Sequence, residues 1–406
     1  MKKDWEYKPF SDVIECLRTG LNPRVHFKLN TEDAQGYYIT VRELKGFTFE
    51  VDSKTDRINE TAIKRINERS NLKIGDVLFS GTGTIGRTAI VEEEPTWWNI
   101  KEGVYAITPR KDKLNSKYLI YLFKSNNILK SIYSKASGAT IRSIPMKELN
   151  KIIIPVPPLS EQKEIVEYLD SSFAKIDKLK ENAAKNLEEA KALFQSALKN
   201  ALEPKEGWEY CEFSKVVDSL RTGLNPRVHF KLNTEDAQGY YVTVRELKGF
   251  TFEIDSKTDR INDAAIKRIN ERSNLQIGDV LFSGTGTIGR TALVEEEPTW
   301  WNIKEGVYAI TPNKNRLESK FLIYLFKSDL ILNKIYSKAS GATIRSIPMK
   351  ELNKIVLPIP PLSEQQSIVS FLDSLNEKLN TLQQNYSRIC DECDALKQAI
   401  LRQVFE

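Results

Sequence analysis

The chain is written twice. Trp5 of Asp4-Trp5-Glu6-Tyr7 returns as Trp208 of Gly207-Trp208-Glu209-Tyr210, and the same offset carries Pro157-Pro158-Leu159-Ser160-Glu161-Gln162 onto Pro360-Pro361-Leu362-Ser363-Glu364-Gln365. A repeat on this scale restricts the fold to two copies of one globular module, each followed by a long amphipathic segment. The expected layout is a module over 1–158, a helix over 159–203, a second module over 204–361 and a second helix over 362–406. Each module has enough residues for a core of its own.

The second helix carries Ile368, Leu372, Leu375, Leu379, Leu382, Tyr386, Ile389, Cys393, Leu396 and Ile400 at alternating spacings of four and three, the seam of a coiled coil. Ser363 and Gln366 stand at capping-box spacing at its start. In the first helix the same phase gives Ile165, Leu169, Ser172, Ile176, Leu179, Ala183, Asn186, Ala190, Leu193 and Ala197, a smaller seam, with Leu187 and Phe194 one step away. The simplest partner for each helix is the other. Only a short tether separates the first helix from module two, and module two ends where the second helix begins, so the pairing is predicted to be antiparallel. A helix of ~40 residues is ~60 Å long. The predicted fold is α+β: two near-identical modules joined by two long helices in an antiparallel coiled coil, with a pseudo-two-fold internal repeat.

Within a module, residues 17–28 are punctuated by Gly, Pro and Asn and read as an exposed basic loop. Residues 37–44 alternate polarity and are β-branched and aromatic, which predicts a strand, with 47–51 continuing the sheet. Asn59 opens a short predicted helix. Residues 75–80 predict a strand that runs into Gly81-Thr82-Gly83-Thr84-Ile85-Gly86-Arg87. This matches G-x-G-x-x-G, a pattern that binds dinucleotides only where a helix leaves it. Here Thr88-Ala89-Ile90-Val91 is β-branched and meets Glu92-Glu93-Glu94-Pro95, so the stretch reads as a glycine-rich hairpin, either a plain tight turn or one whose amides and hydroxyls approach a nucleic-acid backbone. Of Trp97 and Trp98, one is expected in the core and one outside. Residues 118–123 predict a buried helix, and 151–158 a closing strand with a proline stop.

Charge is informative by position rather than by total, since the net value is only +5. From Lys113 to Lys147 the chain carries Lys113, Lys117, Lys124, Lys130, Lys135, Arg142 and Lys147 with no acidic residue. That pattern fits either a solvated basic face or a phosphate-contacting one, and the interleaved small hydroxyl residues favour the latter. No apolar run approaches the ~20 residues of a membrane span, so a cytoplasmic protein without a membrane association is expected. Cys390-Asp-Glu-Cys393 lacks a second ligand pair and reads as helix residues, so no metal site is expected. With His26 and His229 as the two histidines, no nucleophile–base arrangement stands out, and no catalytic residue is assigned.

These features carry a family resemblance. The tandem Gly-Asp-Val-Leu-Phe-Ser-Gly turns (75–86 and 278–289), the Lys-Ala-Ser-Gly-Ala-Thr segments (135–140 and 338–343) and the Pro-Pro-Leu-Ser-Glu-Gln entry into a long helix resemble the DNA specificity subunit of type I restriction-modification systems, over essentially the whole chain. The resemblance implies that each module is a target recognition domain reading half of a split double-stranded DNA site. It implies helices that set the gap and hold two modification subunits, which methylate adenine with S-adenosylmethionine, and restriction subunits that can join; no cofactor is expected in this chain itself. The absence of an Asn/Asp-Pro-Pro-Tyr/Phe motif agrees with a non-catalytic role. Against it stand a self-sufficient methyltransferase and a protein-binding scaffold. One departure from the family is that the modules are near copies: 17–38, 79–89 and 132–150 recur without change, which predicts one DNA word read twice in inverted orientation.

The DNA-contacting candidates are Arg18, Asn22, Arg24, His26, Lys28 and Arg42, then Ser80, Thr82, Thr84 and Arg87 around the glycine turn, and Lys135, Ser137, Thr140 and Arg142. Their mates are Arg221, Asn225, Arg227, His229, Lys231, Arg245, Ser283, Thr285, Thr287, Arg290, Lys338, Ser340, Thr343 and Arg345. Arg and Asn are the usual base readers, whereas Lys, Ser and Thr more often hold phosphate.

Overall fold

The computed structural model describes residues 5–406 apart from 342 and 343, and excludes the side chains of 24, 25, 227 and 228. The chain divides into two compact units, Met1–Ala183 with Ser387–Glu406, and Ala184–Tyr386. Each unit holds one module and parts of both long helices.

In the first module β1 (Glu6–Pro9) lies antiparallel to β9 (Ile153–Val156), so the start of the module is pinned to the strand that feeds the long helix. Between them, β2 (Ile14–Thr19), β5 (Val77–Ser80), β6 (Thr88–Ile90) and β8 (Val104–Pro109) form an antiparallel sheet in the order β2-β8-β5-β6. A second sheet joins β4 (Arg57–Ile58), β3 (Gly36–Ile39) and β7 (Trp98–Ile100), with β3 parallel to β7. Strand alternation sends successive side chains to opposite faces, and that separates the core into layers. Val77 and Phe79 pack with Tyr118–Phe123 of α3 (Ser116–Lys124), while Leu78 joins Ile39, Trp98 and Ile100 between the sheets. Tyr38 and Ile58 face Ala62, Ile63 and Ile66 of α2 (Glu60–Ser70), whose start is capped by the Asn59 side chain accepting from the Ala62 amide at 2.9 Å. Trp98 is fully buried and Trp97 partly exposed, the split expected of the pair.

Two expected strands are shorter than their propensity suggested. After Ile39 the chain turns, because the buried Glu43 carboxylate accepts from the Thr40 amide (2.9 Å) and hydroxyl (2.7 Å), and 47–51 makes a single bridge from Phe49 to Leu44. Burial pushes the Glu43 carboxyl up, and hydrogen bonds from Thr40 and Arg42 outweigh it, holding it below the usual carboxylate range.

The long helices run Leu159–Ala201 and Leu362–Phe405. Ser363 lies inside the second helix rather than capping it. The buried glutamine two residues on is what ties each helix to its module. Gln162 accepts from the Asn115 amide (2.8 Å) and donates to the carbonyls of Lys113 (2.7 Å) and Pro157 (2.8 Å), and Gln365 repeats the three bonds. Gln162→Leu leaves these groups unpaired, and denaturant unfolding is expected to show a loss of about 2 to 3 kcal/mol; a loss under about 0.5 kcal/mol would contradict this account.

Inside each unit the helix segments are antiparallel. In the first, Lys180 meets Asp394 at 2.5 Å, Asp177 pairs with Lys397, the Cys393 thiol approaches the Ile176 carbonyl, and Phe405 stacks edge-on against Tyr118. In the second, Phe194, Leu198 and Leu202 share a core with Ile368, Leu372, Leu375 and Leu379, and Lys205 pairs with Glu364. The heptad phase does not hold throughout, since Leu179, Leu193, Leu382 and Leu396 are exposed. In the first helix the buried positions run Gln162, Ile165, Val166, Leu169, Ile176, Leu187, Phe194 and Leu198. The step from Ile176 to Leu187 follows the 3.6-residue turn of a straight helix, which drifts from a strict seven-residue pattern.

Candidate nucleic-acid interface

The glycine turn links β5 to β6 in an antiparallel hairpin, so no helix leaves it. A Cβ at Gly81 would fall 2.2 Å from the Tyr105 ring, and Gly83 adopts a left-handed φ of +79°. The buried Ser80 hydroxyl donates to the Thr84 carbonyl (2.6 Å) and accepts from the Arg87 amide (2.8 Å). Ser80 and Ser283 therefore build the turn, each hydroxyl being used within it.

Around this turn three other segments assemble. The loop after α4 (Asn126–Lys135) is stitched to it: Gly83 donates to the Arg142 carbonyl (2.9 Å), Thr82 and Ser143 hydroxyls lie 2.9 Å apart, and Ile144 donates to the Gly81 carbonyl (2.8 Å). The turn after β3 is reached by Arg87, which donates to the Val41 carbonyl at 3.3 Å. On a third side Gly81 donates to the Gly103 carbonyl, and the adjoining Lys101 bridges Leu21 at the root of the basic loop. The structure thus joins the three candidate groups, 21–28, 80–87 and 135–142, on one connected surface.

Thr84, Arg87, Lys135, Ser137, Thr140 and Arg142 are exposed there, as are His26 and Lys28, while Thr82 and Asn22 are half-buried. The second module places Thr287, Arg290, Lys338, Ser340, Arg345, His229 and Lys231 in the open, with Thr285 and Asn225 half-buried. The side chains of Arg24 and Arg227, and Thr343 altogether, lie outside the described residues.

Other candidates are placed differently. Arg18 is the last charged residue of β2, not of an open loop. Its guanidinium pairs with Asp76 at 2.7 Å, donates to Thr108 at 2.6 Å and meets the Asn71 carbonyl. Arg221 repeats this with Asp279 at 2.8 Å, Thr311 and the Asn274 carbonyl. Burial pushes the Asp76 carboxyl up, against hydrogen bonds from Thr108 and Lys73 and the Arg18 charge. Arg42 is exposed but paired with Glu43 (2.8 Å) and Asp52 (3.2 Å), as Arg245 is with Glu246 and Asp255, so its charge is largely offset.

The acid-free stretch is likewise partly answered from elsewhere: Lys117 meets Asp170 of the long helix at 3.4 Å. Lys124 sits 4.2 Å from the Phe47 ring centre, and burial pushes its ammonium down to about 8. What sequence reasoning missed is Ile141. It is 63% exposed between Thr140 and Arg142, and so is Ile344 in the second copy. An apolar residue in a basic stretch offers no periodic signal that distinguishes tip from core.

Solved structures place this architecture. One from work on complex assembly and conformational transition of the type I R-M system aligns with a TM-score of 0.73, at 19% identity over 100% of this chain and 98% of its own. The HsdS subunit from Thermoanaerobacter tengcongensis gives 0.55 at 18% identity over 100% and 97%. They define a fold class of two α+β modules with long helices. The type I restriction modification DNA specificity domain matches residues 2–189 and 205–389, and the chain belongs to that family. Among its relatives, the MjaIX specificity subunit of Methanocaldococcus jannaschii is 26% identical over 405 residues, 93% of this chain and 88% of the relative. The EcoKI specificity subunit of Escherichia coli is 26% identical over 326 residues, 75% and 68%. The chain is a DNA specificity subunit, the non-catalytic component of its system. Among the described residues no helix is long and apolar enough to cross a membrane.

Proposed function

We propose that each module reads the same short double-stranded DNA word and that the whole chain recognises an interrupted palindrome, directing adenine methylation by two modification subunits that carry S-adenosylmethionine. Restriction subunits join the same assembly. The cofactor belongs to those partners and none to this chain. The observation that carries the reading is that the bonds framing the interface recur among the described residues of both modules: Thr82–Ser143 at 2.9 Å against Thr285–Ser346 at 3.0 Å, and Arg87 to Val41 at 3.3 Å against Arg290 to Val244 at 3.2 Å. Two surfaces with the same side chains in the same geometry have the same base preference. An inverted arrangement of the two words is what two-fold related readers require.

Selection of bound sequences from a random duplex pool by the complex with modification subunits is expected to return one word and its inverted copy around a constant gap. Two unlike half-sites would overturn the reading.

A further inference from the structure

A lone exposed aliphatic side chain is ordinary on a protein surface. Ile141 differs in how it is held. Ser137 and Ser143 exchange backbone hydrogen bonds of 2.9 and 2.8 Å, closing residues 138–142 into a tight finger. Gly138 takes a φ of +111°, and a Cβ there would lie 2.2 Å from the Ile141 carbonyl oxygen, so the finger closes only with glycine at that point. Its base is anchored by buried Ile144, whose carbonyl accepts from the Tyr105 hydroxyl at 2.6 Å, and its side is clamped by the bond from Gly83 to Arg142. An aliphatic group is therefore presented from a pre-shaped tip, between an exposed threonine and an exposed arginine, beside the glycine turn. The second copy keeps the reciprocal bonds between Ser340 and Ser346, the left-handed Gly341 and the exposed Ile344.

The chemistry of this tip selects its target. Arg142 and Thr140 match phosphate or polar base edges, and those need no isoleucine. Along the major-groove edge of DNA the apolar feature is the C5-methyl group of thymine. Resting on the DNA-reading function proposed above, we propose that Ile141 and Ile344 are specificity-determining residues that pack against a thymine C5-methyl group, one in each half-site. An aliphatic side chain on a rigid tip gains from leaving water only where it meets another apolar group. At a position with cytosine or guanine it would instead strip water from polar edges.

The test uses the complex with modification subunits and its selected duplex, with thymine replaced by uracil one position at a time in both half-sites. Uracil keeps the pairing and lacks only the methyl group. At one symmetric position the native protein is expected to lose about four-fold in affinity per half-site, the factor for burial of one methyl-sized group, and about fifteen-fold for the pair if the half-sites add. The variant Ile141→Ala/Ile344→Ala should melt like the native protein and bind the thymine and uracil duplexes equally. The proposal is overturned if no thymine is sensitive in the native complex, if sensitivity persists in the variant, or if the variant loses affinity equally for both duplexes, which is the behaviour of an apolar wedge between base steps. A native complex that selects no sequence at all would instead remove the DNA-reading function itself.

Discussion

Arg18→Ala is expected to lower the stability of the first module by about 3 to 5 kcal/mol, the cost of leaving a buried charge without its partner. Asp76 is wholly buried and Arg18 is 14% exposed, so water does not replace the lost guanidinium. Three acceptors lose a donor together, the Thr108 hydroxyl, the Asn71 carbonyl and the Asp76 carboxylate, and the last keeps only its neutral donors, the Thr108 hydroxyl (2.6 Å) and the Lys73 amide (3.0 Å). Denaturant unfolding followed by probes placed in each module measures the loss, because two modules need not unfold in one transition. The pH dependence has a defined sign. Burial already raises the folded pKa of Asp76 above its unfolded value, so the folded state binds a proton more tightly and stability falls as pH rises through that window. Removing the Arg18 charge raises the folded pKa further and widens the window upward. The loss should therefore shrink on acidification, when Asp76 is neutral. Arg18→Ala/Asp76→Ala should cost less than the two single changes added, since both break the same contact. A stable Arg18→Ala protein with altered base preference would return Arg18 to the DNA surface.

Arg18 also shows why part of this molecule was hidden in its sequence. It stands before Gly20-Leu21-Asn22-Pro23, which reads as an open loop, and its partner Asp76 lies far along the chain, just before β5. No local pattern records such a pair. The hydroxyl of Ser80 misleads in the same way, because a small polar residue in a glycine turn looks exposed until the turn closes over it. The repeat, the glycine hairpin, the Asn59 cap and the split of Trp97 from Trp98 were legible, each resting on neighbours in sequence. So was the antiparallel sense of the helices, which followed from tether length. The seam phase was not, because a heptad count assumes supercoiling, and Leu179 and Leu193 show where a straight helix turns those positions outward. Likewise Thr40 to Leu44 has strand-like residues, yet the Glu43 carboxylate closes a turn there.

The surface around the glycine turn is expected to depend on charge more than on any single base contact. Arg87, Arg142, Arg290 and Arg345 are exposed on it, and the arginines at 18, 42, 221 and 245 are occupied by acids. Replacing those four exposed arginines together by glutamine keeps side-chain length and hydrogen bonding while removing four positive charges. Each phosphate left without its cation flattens the slope of log affinity against log salt by about 0.9, so four flatten it by about 3.6. At 0.1 M salt the same relation gives a loss of about three and a half orders of magnitude. Binding of the selected duplex by the complex with modification subunits, measured between about 0.05 and 0.3 M salt, reads both quantities. Arg42→Gln with Arg245→Gln serves as the contrast. Their charges are already offset by Glu43, Asp52 and the second-module equivalents, so the slope should hardly move. A slope that flattened equally for both sets would mean that the charge acts as a diffuse field over the module. An unchanged slope for the four exposed arginines would place the DNA on another face.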